Sequence, residues 1–263
     1  MIVNSFNPEF GYELISVLPY AYYLYINNEL EGTISAPLTE PLYYFSPNHK
    51  INHDASRGDA GVQKLIQSNF PNALIHTKEL NIDKYIPPPY KEYYANNTFK
   101  WDKPTLVISN KYGVEWGCPP INYFSLELLD EMFNFLKNKY QIVYIGVDII
   151  EEIQDDSHTL YLGDLELCKK HPEVIVFQEL LKSNNLNWNE LQLKVFANCE
   201  KFITIVGGVS VLASYFGGTN IIYCKQGSEM SVDSFNRWYH IFGGSKIHVV
   251  SDYSNLLEEI KKL

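Results

Sequence analysis

A repeated alternation of short apolar runs with amphipathic segments, which begins after Pro104, is the feature that most restricts the fold of this chain. The apolar runs have the length of buried strands and are centred near Leu106, Val143, Val176, Ile203 and Ile222. The segments between them include two that begin with good helix N-caps, Ser125 and Asn187, and continue with apolar residues at helical spacing. Strands that alternate with helices predict a parallel sheet with right-handed crossovers. A sixth strand is expected at residues 248–249.

The N-terminal third predicts a smaller set of elements. Strands are expected at residues 2–6, 33–36, 42–45 and 73–76. A helical pattern covers residues 11–27, and Pro19 favours either a kink within it or two short helices. A further helix is expected at residues 62–68.

A proline run at residues 86–90 interrupts regular structure between these two parts. The polar and aromatic stretch that follows has no clear period. We therefore interpret residues 87–103 as a linker between an N-terminal lobe, residues 1–86, and a C-terminal lobe, residues 104–263.

Charge and cysteine usage exclude several classes of protein. The formal net charge is −10, so the chain lacks the positive field that nucleic-acid binding requires. Its four cysteines form no Cys-x-x-Cys pair, and its histidines show no metal-ligand spacing. No apolar run reaches the roughly 18–20 residues of a transmembrane helix, and the N-terminus is not a signal peptide. We expect a cytoplasmic protein without metal, cofactor or transmembrane segment, and leave peripheral attachment to a membrane open.

The stretch from Val206 to Gly218 (VGGVSVLASYFGG) carries the clearest functional signal. A buried strand ends, two glycines follow, and a short helix begins near Ser210. Glycines permit a tight turn and close approach of a ligand, and a helix N-terminus attracts phosphate. A plain strand-to-helix turn, which every α/β protein needs, is the alternative interpretation.

The longer string NELQLKVFANCEKFITIVGGVSVLASYFGGTNIIYCKQGSE resembles the donor-binding half of glycosyltransferases of the GT-B type, heptosyltransferase-like members included. The order of elements is similar over roughly residues 104–243. The resemblance implies two Rossmann-like lobes and a nucleotide-diphosphate sugar as donor. It also implies that Gly207, Gly208, Val209 and Ser210 meet the diphosphate, and that Glu229 holds the ribose.

The loop after the first C-terminal strand, SNKYGVEWGCPPIN, is expected at the carboxyl edge of the sheet, where ligands bind in open α/β folds. The resemblance implies that Asn110 and Lys111 contact the donor, and that Lys111 neutralises the leaving diphosphate. Glu115 and Trp116 are candidates for the acceptor pocket. A solvated lysine and a core tryptophan are the alternatives.

The loop NPEFGYE, residues 7–13, follows the first strand of the chain. In enzymes of the GT-B type this loop faces the cleft, and inverting transfer requires a base for the acceptor hydroxyl. Glu9 and Glu13 are the candidate bases, and Tyr12 is a candidate acceptor contact. Glu13 also fits the first turn of a helix.

The sequence thus predicts a metal-independent, inverting glycosyltransferase that transfers a hexosyl or deoxyhexosyl unit to a glycan or lipid-linked acceptor. A nucleotide-sugar 2-epimerase, a pyruvyl transferase and a non-catalytic nucleotide- or sugar-binding protein remain alternatives. The absence of a GxGxxG motif weighs against an NAD enzyme.

Overall fold

The structure is a computed structural model that describes residues 1–54, 56–74, 80–114, 117–146 and 158–263. Its N-terminal part contains a parallel sheet of order β1-β2-β3, formed by β1 (Ile2–Asn4), β2 (Gly32–Ser35) and β3 (His49–Ile51). The helical elements here are α1 (Phe10–Tyr12), a π-helical segment (Glu13–Val17), α2 (Leu18–Ile26), a 3-10 helix (Glu40–Tyr43) and α3 (Asp59–Gln67). Helix α4 (Tyr90–Tyr93) follows.

The C-terminal part is built on a six-stranded sheet in which all neighbours are parallel. Its strands are β4 (Thr105–Asn110), β6 (Gln141–Gly146), β8 (Ile175–Val176), β9 (Cys199–Ile205), β10 (Thr219–Tyr223) and β11 (Lys246–Val250). Two short strands, β5 (Gly113–Val114) and β7 (His158–Thr159), form a separate antiparallel pair. The six predicted strands are present, and the prediction of an α/β fold with a parallel C-terminal sheet is confirmed.

Helices cover both faces of the larger sheet. They are α5 (Leu126–Leu136), α6 (Asp164–Cys168), α7 (Phe177–Ser183), α8 (Trp188–Phe196), α9 (Gly208–Ser214), α10 (Ser228–Ser231), α11 (Ser234–Arg237), a 3-10 helix (Tyr239–Ile241) and α12 (Tyr253–Ile260). The two N-caps expected from the sequence are formed, because Ser125 accepts from the N–H of Leu128 and Asn187 from that of Glu190.

The strand order β8-β6-β4-β9-β10-β11 contains one reversal of direction. The chain builds outward from β4 through β6 and β8, then returns to the other side of β4 through β9. In doubly wound sheets a crevice opens at such a switch point, outside the carboxyl ends of the strands. The fold therefore singles out the loops after β4 and β9.

One apolar core joins the two sheets. Leu14 and Leu18 from the N-terminal part belong to the same buried cluster as Phe196, Phe202 and Leu212 from the C-terminal part. A second core lies on the other face of the large sheet, beneath α5 and α12. The N-terminal elements therefore pack directly on α8 and α9.

The segment expected as a linker packs against both parts of the chain through Tyr90. Tyr90 is fully buried, its hydroxyl donates to the carbonyl of Leu42 over 2.9 Å, and its ring lies 5.2 Å from that of Tyr215. The boundaries 1–86, 87–103 and 104–263 stay a prediction.

The kink expected at Pro19 takes the form of a π-helical segment. Proline has no N–H, so carbonyls one turn earlier lose a helical partner. Two buried tyrosines from distant segments supply the missing donors. The hydroxyl of Tyr85 donates to the carbonyl of Ile15 over 2.7 Å, and that of Tyr215 donates to the carbonyl of Leu14 over 2.5 Å. The irregular helix is therefore held by side chains that the local sequence does not reveal.

The prediction of a strand at residues 42–45 is wrong. Residues 40–43 form a 3-10 helix that begins with Pro41 in its first turn and packs against α8. Asn189 at the start of α8 donates to the carbonyl of Leu38 over 2.7 Å. Of the strand predicted at residues 73–76, residues 73 and 74 lie in a turn and the rest lie outside the described residues.

Candidate functional site at the carboxyl edge

Three loops meet at the carboxyl edge of the larger sheet. Ser109 of β4 pairs with Thr204 of β9, so Lys111 and the turn at Gly207 follow at nearly the same level. Strand β10 pairs with β9 in parallel, so the loop that carries Glu229 leaves from the same edge. The topology brings together the three segments that the sequence predicted to hold a donor.

Two buried asparagines tie these loops together. The side chain of Asn110 donates to the carbonyl of Phe124 over 3.1 Å and accepts from its N–H over 2.8 Å. The side chain of Asn122 donates to the carbonyl of Gln226 over 2.7 Å and accepts from the N–H of Lys225 over 2.8 Å. Asn110, predicted to contact the donor, thus holds the loop after β4. Asn122 was not singled out, because its partners lie about a hundred residues away.

The two glycines of the turn after β9 have different surroundings. Gly207 has a φ of 133°, a backbone conformation that side chains rarely adopt, and nothing lies within 4 Å of where a Cβ would stand. A Cβ on Gly208 would lie 2.6 Å from the ring of Phe10. Gly208 therefore permits contact with the N-terminal part, whereas Gly207 faces open space.

Buried hydrogen bonds of Ser210 fix the start of α9. Ser210 is fully buried; its hydroxyl donates to the carbonyl of Gly207 over 2.7 Å, and its own carbonyl accepts from Asn220 over 3.0 Å. Gly207, Gly208 and Val209 are partly exposed. A ligand can therefore approach the first three residues of the turn more readily than the Ser210 side chain.

The loop between β1 and α1 lies across from this turn and is conformationally strained. Phe6 and Asn7 have φ values of 60° and 51°, which is unusual for residues other than glycine. Asn7 is buried, donates to the carbonyl of Asn52 over 3.0 Å, and accepts from the N–H of Gly58 over 3.1 Å. Strain of this kind clusters at functional sites, because the surrounding structure must enforce it.

The pKa of Tyr12 reflects the negative charge around this loop. Its partial burial, together with the nearby carboxylates of Glu9, Asp59 and Glu229, raises the pKa of Tyr12 to about 12. Three carboxylates from separate segments thus lie near one phenol. Glu9 is exposed, and Glu229 is partly exposed.

Glu229 also faces Tyr239. Tyr239 is fully buried and lies near Ser210, and burial together with the charge of Glu229 raises the pKa of its hydroxyl. A Cβ on Gly227 would lie 2.7 Å from a carboxylate oxygen of Glu229. Glu229 is therefore near both Tyr12 and Tyr239. Tyr239 was not predicted, since nothing in its local sequence marks it.

Glu13 occupies a different environment from Glu9. It is fully buried, and its carboxylate accepts from Ser35, from Tyr43 over 2.7 Å and from Arg57 over 2.5 Å. This placement differs from the cleft-facing position expected of a base. The guanidinium of Arg57 also lies 5.1 Å from the centre of the Phe10 ring, on which it stacks as a cation.

Lys111 is partly exposed, and its side chain bends toward Gly113, where a Cβ would lie 3.5 Å from its Cε atom. The predicted acceptor residues Glu115 and Trp116 lie outside the described residues.

Within the described part of the chain, no three His, Cys, Asp or Glu side chains come together in a way that could hold a metal ion. No helix there has the length and apolar character needed to cross a bilayer.

Comparison with known proteins gives little further information. No protein-family model matches the chain, and no curated protein matches it. Among solved structures, the chain is similar to a glycosyl transferase of family 9 from Veillonella parvula DSM 2008, at 12% identity and a TM-score of 0.35, over 94% of this chain and 70% of the other. A similarity at this level is too low to assign an activity.

Proposed function

We propose that this protein is a glycosyltransferase that takes its sugar from a nucleotide-diphosphate donor bound at the switch point between β4 and β9. The observation that carries the proposal is the convergence of the loops containing Lys111, Gly207 and Glu229 at one sheet edge. The resemblance of residues 189–229 to GT-B donor sites is a second, independent support from the sequence.

In the proposed complex, the diphosphate lies against the backbone of Gly207 to Val209, the exposed part of the turn. Because Phe10 packs on Gly208, the approach is from the side of Gly207. Glu229 accepts hydrogen bonds from the ribose hydroxyls. The asparagine clamps at Asn110 and Asn122 keep the flanking loops in place, which lowers the entropic cost of binding.

The negative charge near Tyr12 has to be balanced for a diphosphate to bind. Lys111 and Lys225 follow β4 and β10 at this edge, and both are at least partly exposed. We assign to Lys111 the stabilisation of the charge that develops on the leaving diphosphate. A preorganised cation at this point accelerates bond breaking more than it strengthens ground-state binding.

We assign the role of general base to Glu9 and not to Glu13. Glu9 is exposed on the loop that faces the Gly207 turn, whereas the Glu13 carboxylate is buried and bonded to three donors. A base must reach the acceptor hydroxyl to remove its proton. Asp59, which is also exposed and near Tyr12, is the control carboxylate.

A screen of UDP-, GDP-, ADP- and CMP-sugars by thermal unfolding tests donor binding, since a ligand that binds only the native state raises the Tm. The proposal predicts that a UDP-, GDP- or ADP-sugar raises the Tm, that a CMP-sugar, which carries a single phosphate, does not, and that Glu229→Ala abolishes the increase. Failure of all three diphosphate classes to raise the Tm would contradict it. Hydrolysis of the stabilising donor without acceptor then separates an enzyme from a non-catalytic binding protein.

A further inference from the structure

A group of aromatic side chains at the surface lies apart from the candidate donor site; Tyr25 and Tyr93 are exposed, Tyr22 and Tyr44 are partly exposed, and Phe45 is buried. The aromatic platform consists of Tyr22, Tyr25, Tyr44, Phe45 and Tyr93. The rings of Tyr44 and Tyr93 stack with centres 3.6 Å apart, and Tyr93 remains 56% exposed. Clustered exposed aromatic residues usually mark a binding surface, because exposing them to water is unfavourable.

The platform lies toward the amino ends of the strands. Tyr25 is in the last turn of α2 and Lys194 is in the last turn of α8. Both helices run back from the carboxyl edge toward the start of the next parallel strand. A ligand on the platform therefore occupies a different end of the molecule from Gly207.

The Tyr44–Tyr93 stack separates two adjoining hollows of about 520 Å³ and about 490 Å³. The first is bounded by Glu40, Glu190 and Lys194, and the second by Tyr25 and Glu92, among others. Both hollows are wide open to solvent, so a ligand would rest on the surface and not inside an enclosed pocket. The pair of hollows suits a chain of small rings better than a single compact molecule.

Hydrogen bonds of two neighbouring tyrosines hold the platform in place. Tyr90 donates to the carbonyl of Leu42 over 2.9 Å, and Tyr94 donates to the carbonyl of Pro41. Tyr22 meets Phe45 edge to face, with ring centres 5.0 Å apart. Because the supporting hydroxyls are bonded to backbone, the exposed rings keep their positions without a ligand, and binding costs less entropy.

The rim of the platform is acidic. Glu40 and Glu92 are exposed, and Lys194 is already paired with Glu190 over 2.7 Å. Such a rim repels anions and accepts hydrogen bonds from hydroxyl groups. The negative faces of the tyrosine rings attract the polarised C–H groups on the flat side of a sugar. A proline-rich peptide, which also binds aromatic grooves, lacks N–H donors at its prolines.

We propose that the aromatic platform binds a neutral oligosaccharide, with Tyr93 stacked on one sugar ring and Glu40, Glu92 and Glu190 accepting from its hydroxyls. The proposal does not depend on the transferase assignment, because binding here needs neither a donor nor the carboxyl-edge loops.

Calorimetric titration of the whole chain tests this proposal, with maltohexaose, cellohexaose and chitohexaose as probes and a hexamer of galacturonic acid as the anionic counterpart. We expect one neutral probe to bind and the anionic one not to bind. Tyr93→Ala should weaken that binding about tenfold or more, the effect of losing a central aromatic contact. Tyr93→Phe keeps the ring and should bind as the unmodified protein does.

Tyr161→Ala is the matched control, since Tyr161 is 71% exposed and is not part of the platform. Equal melting temperatures exclude a folding defect in Tyr93→Ala. The proposal is overturned if no neutral probe binds, if Tyr93→Ala binds as well as the unmodified protein, or if Tyr161→Ala loses binding equally. A dimer in sedimentation that Tyr93→Ala dissociates would assign the platform to self-association and also overturn it. Sugar binding without any nucleotide binding would contradict the transferase assignment alone.

Discussion

The guanidinium of Arg57 lies 2.5 Å from the carboxylate of Glu13, and both side chains are almost fully buried. Arg57 also stacks on Phe10, whose ring fills the space beside Gly208. A buried charge pair therefore supports the Phe10 ring, through which the loop after β1 contacts the turn after β9. Removing one member of such a pair leaves the other charge buried without compensation.

Glu13→Gln should lower the free energy of unfolding by about 3–5 kcal/mol, the usual effect of breaking a buried ion pair. Urea unfolding measures it. Glu9→Gln is the matched control on the same loop and should change stability by less than about 0.5 kcal/mol, because Glu9 is exposed. Unchanged stability in Glu13→Gln would show that the pair is not structural.

Gly208→Ala should destabilise the protein by about 1–3 kcal/mol, since the added methyl would meet the ring of Phe10. In a protein that already carries Phe10→Ala, the same substitution at Gly208 should lower the free energy of unfolding by less, because the obstructing ring is gone. A double-mutant cycle in urea should give a coupling free energy of at least about 0.5 kcal/mol. Strict additivity would mean that the two residues are not in contact.

Tyr12 makes stability depend on alkaline pH. Its pKa is raised to about 12 in the folded protein and is about 10 when unfolded, so the folded state holds the proton more tightly. The contribution is complete below pH about 10 and is lost as pH rises toward about 12. Tyr12→Phe should therefore reduce the slope of unfolding free energy against pH in this window. A slope in Tyr12→Phe equal to that of the unmodified protein would contradict the assigned environment of Tyr12.

Substitutions of Lys111 and of Glu9 should have different effects on the kinetics. Lys111→Ala should lower kcat by roughly 10²–10³-fold in both donor hydrolysis and transfer, because it removes charge stabilisation from the breaking bond. Glu9→Gln should abolish transfer and leave donor affinity near normal, because a base contacts the acceptor. Asp59→Asn should retain transfer. Full transfer by Glu9→Gln with none by Asp59→Asn would move the base to Asp59.

The periodicity of the chain predicted the six strands of the large sheet, because each buried strand is a local apolar run bounded by helix signals. The run at residues 42–45 misled because Tyr43 is buried by contacts with Glu13, Phe45 and His49 and not by strand pairing. Periodicity does not distinguish these two causes of burial.

The candidate site was less predictable, because its geometry depends on contacts between distant segments. The turn at Gly207 was visible, whereas the role of Gly208 depends on Phe10, about two hundred residues earlier. The burial of Glu13 depends on Arg57, and the loop positions depend on Asn122. A single sequence contains no local signal for such pairings.

The most direct test of the nucleotide site is a backbone amide NMR titration of the protein with UDP, GDP, ADP and CMP. The account predicts that UDP, GDP or ADP shifts the amide signals of Gly207, Gly208 and Val209 together with that of Lys111, that CMP, which has a single phosphate, does so less, and that Glu229→Ala weakens the same titration. Chemical-shift changes confined to other parts of the chain, or no saturable change with any of the three diphosphates, would contradict it.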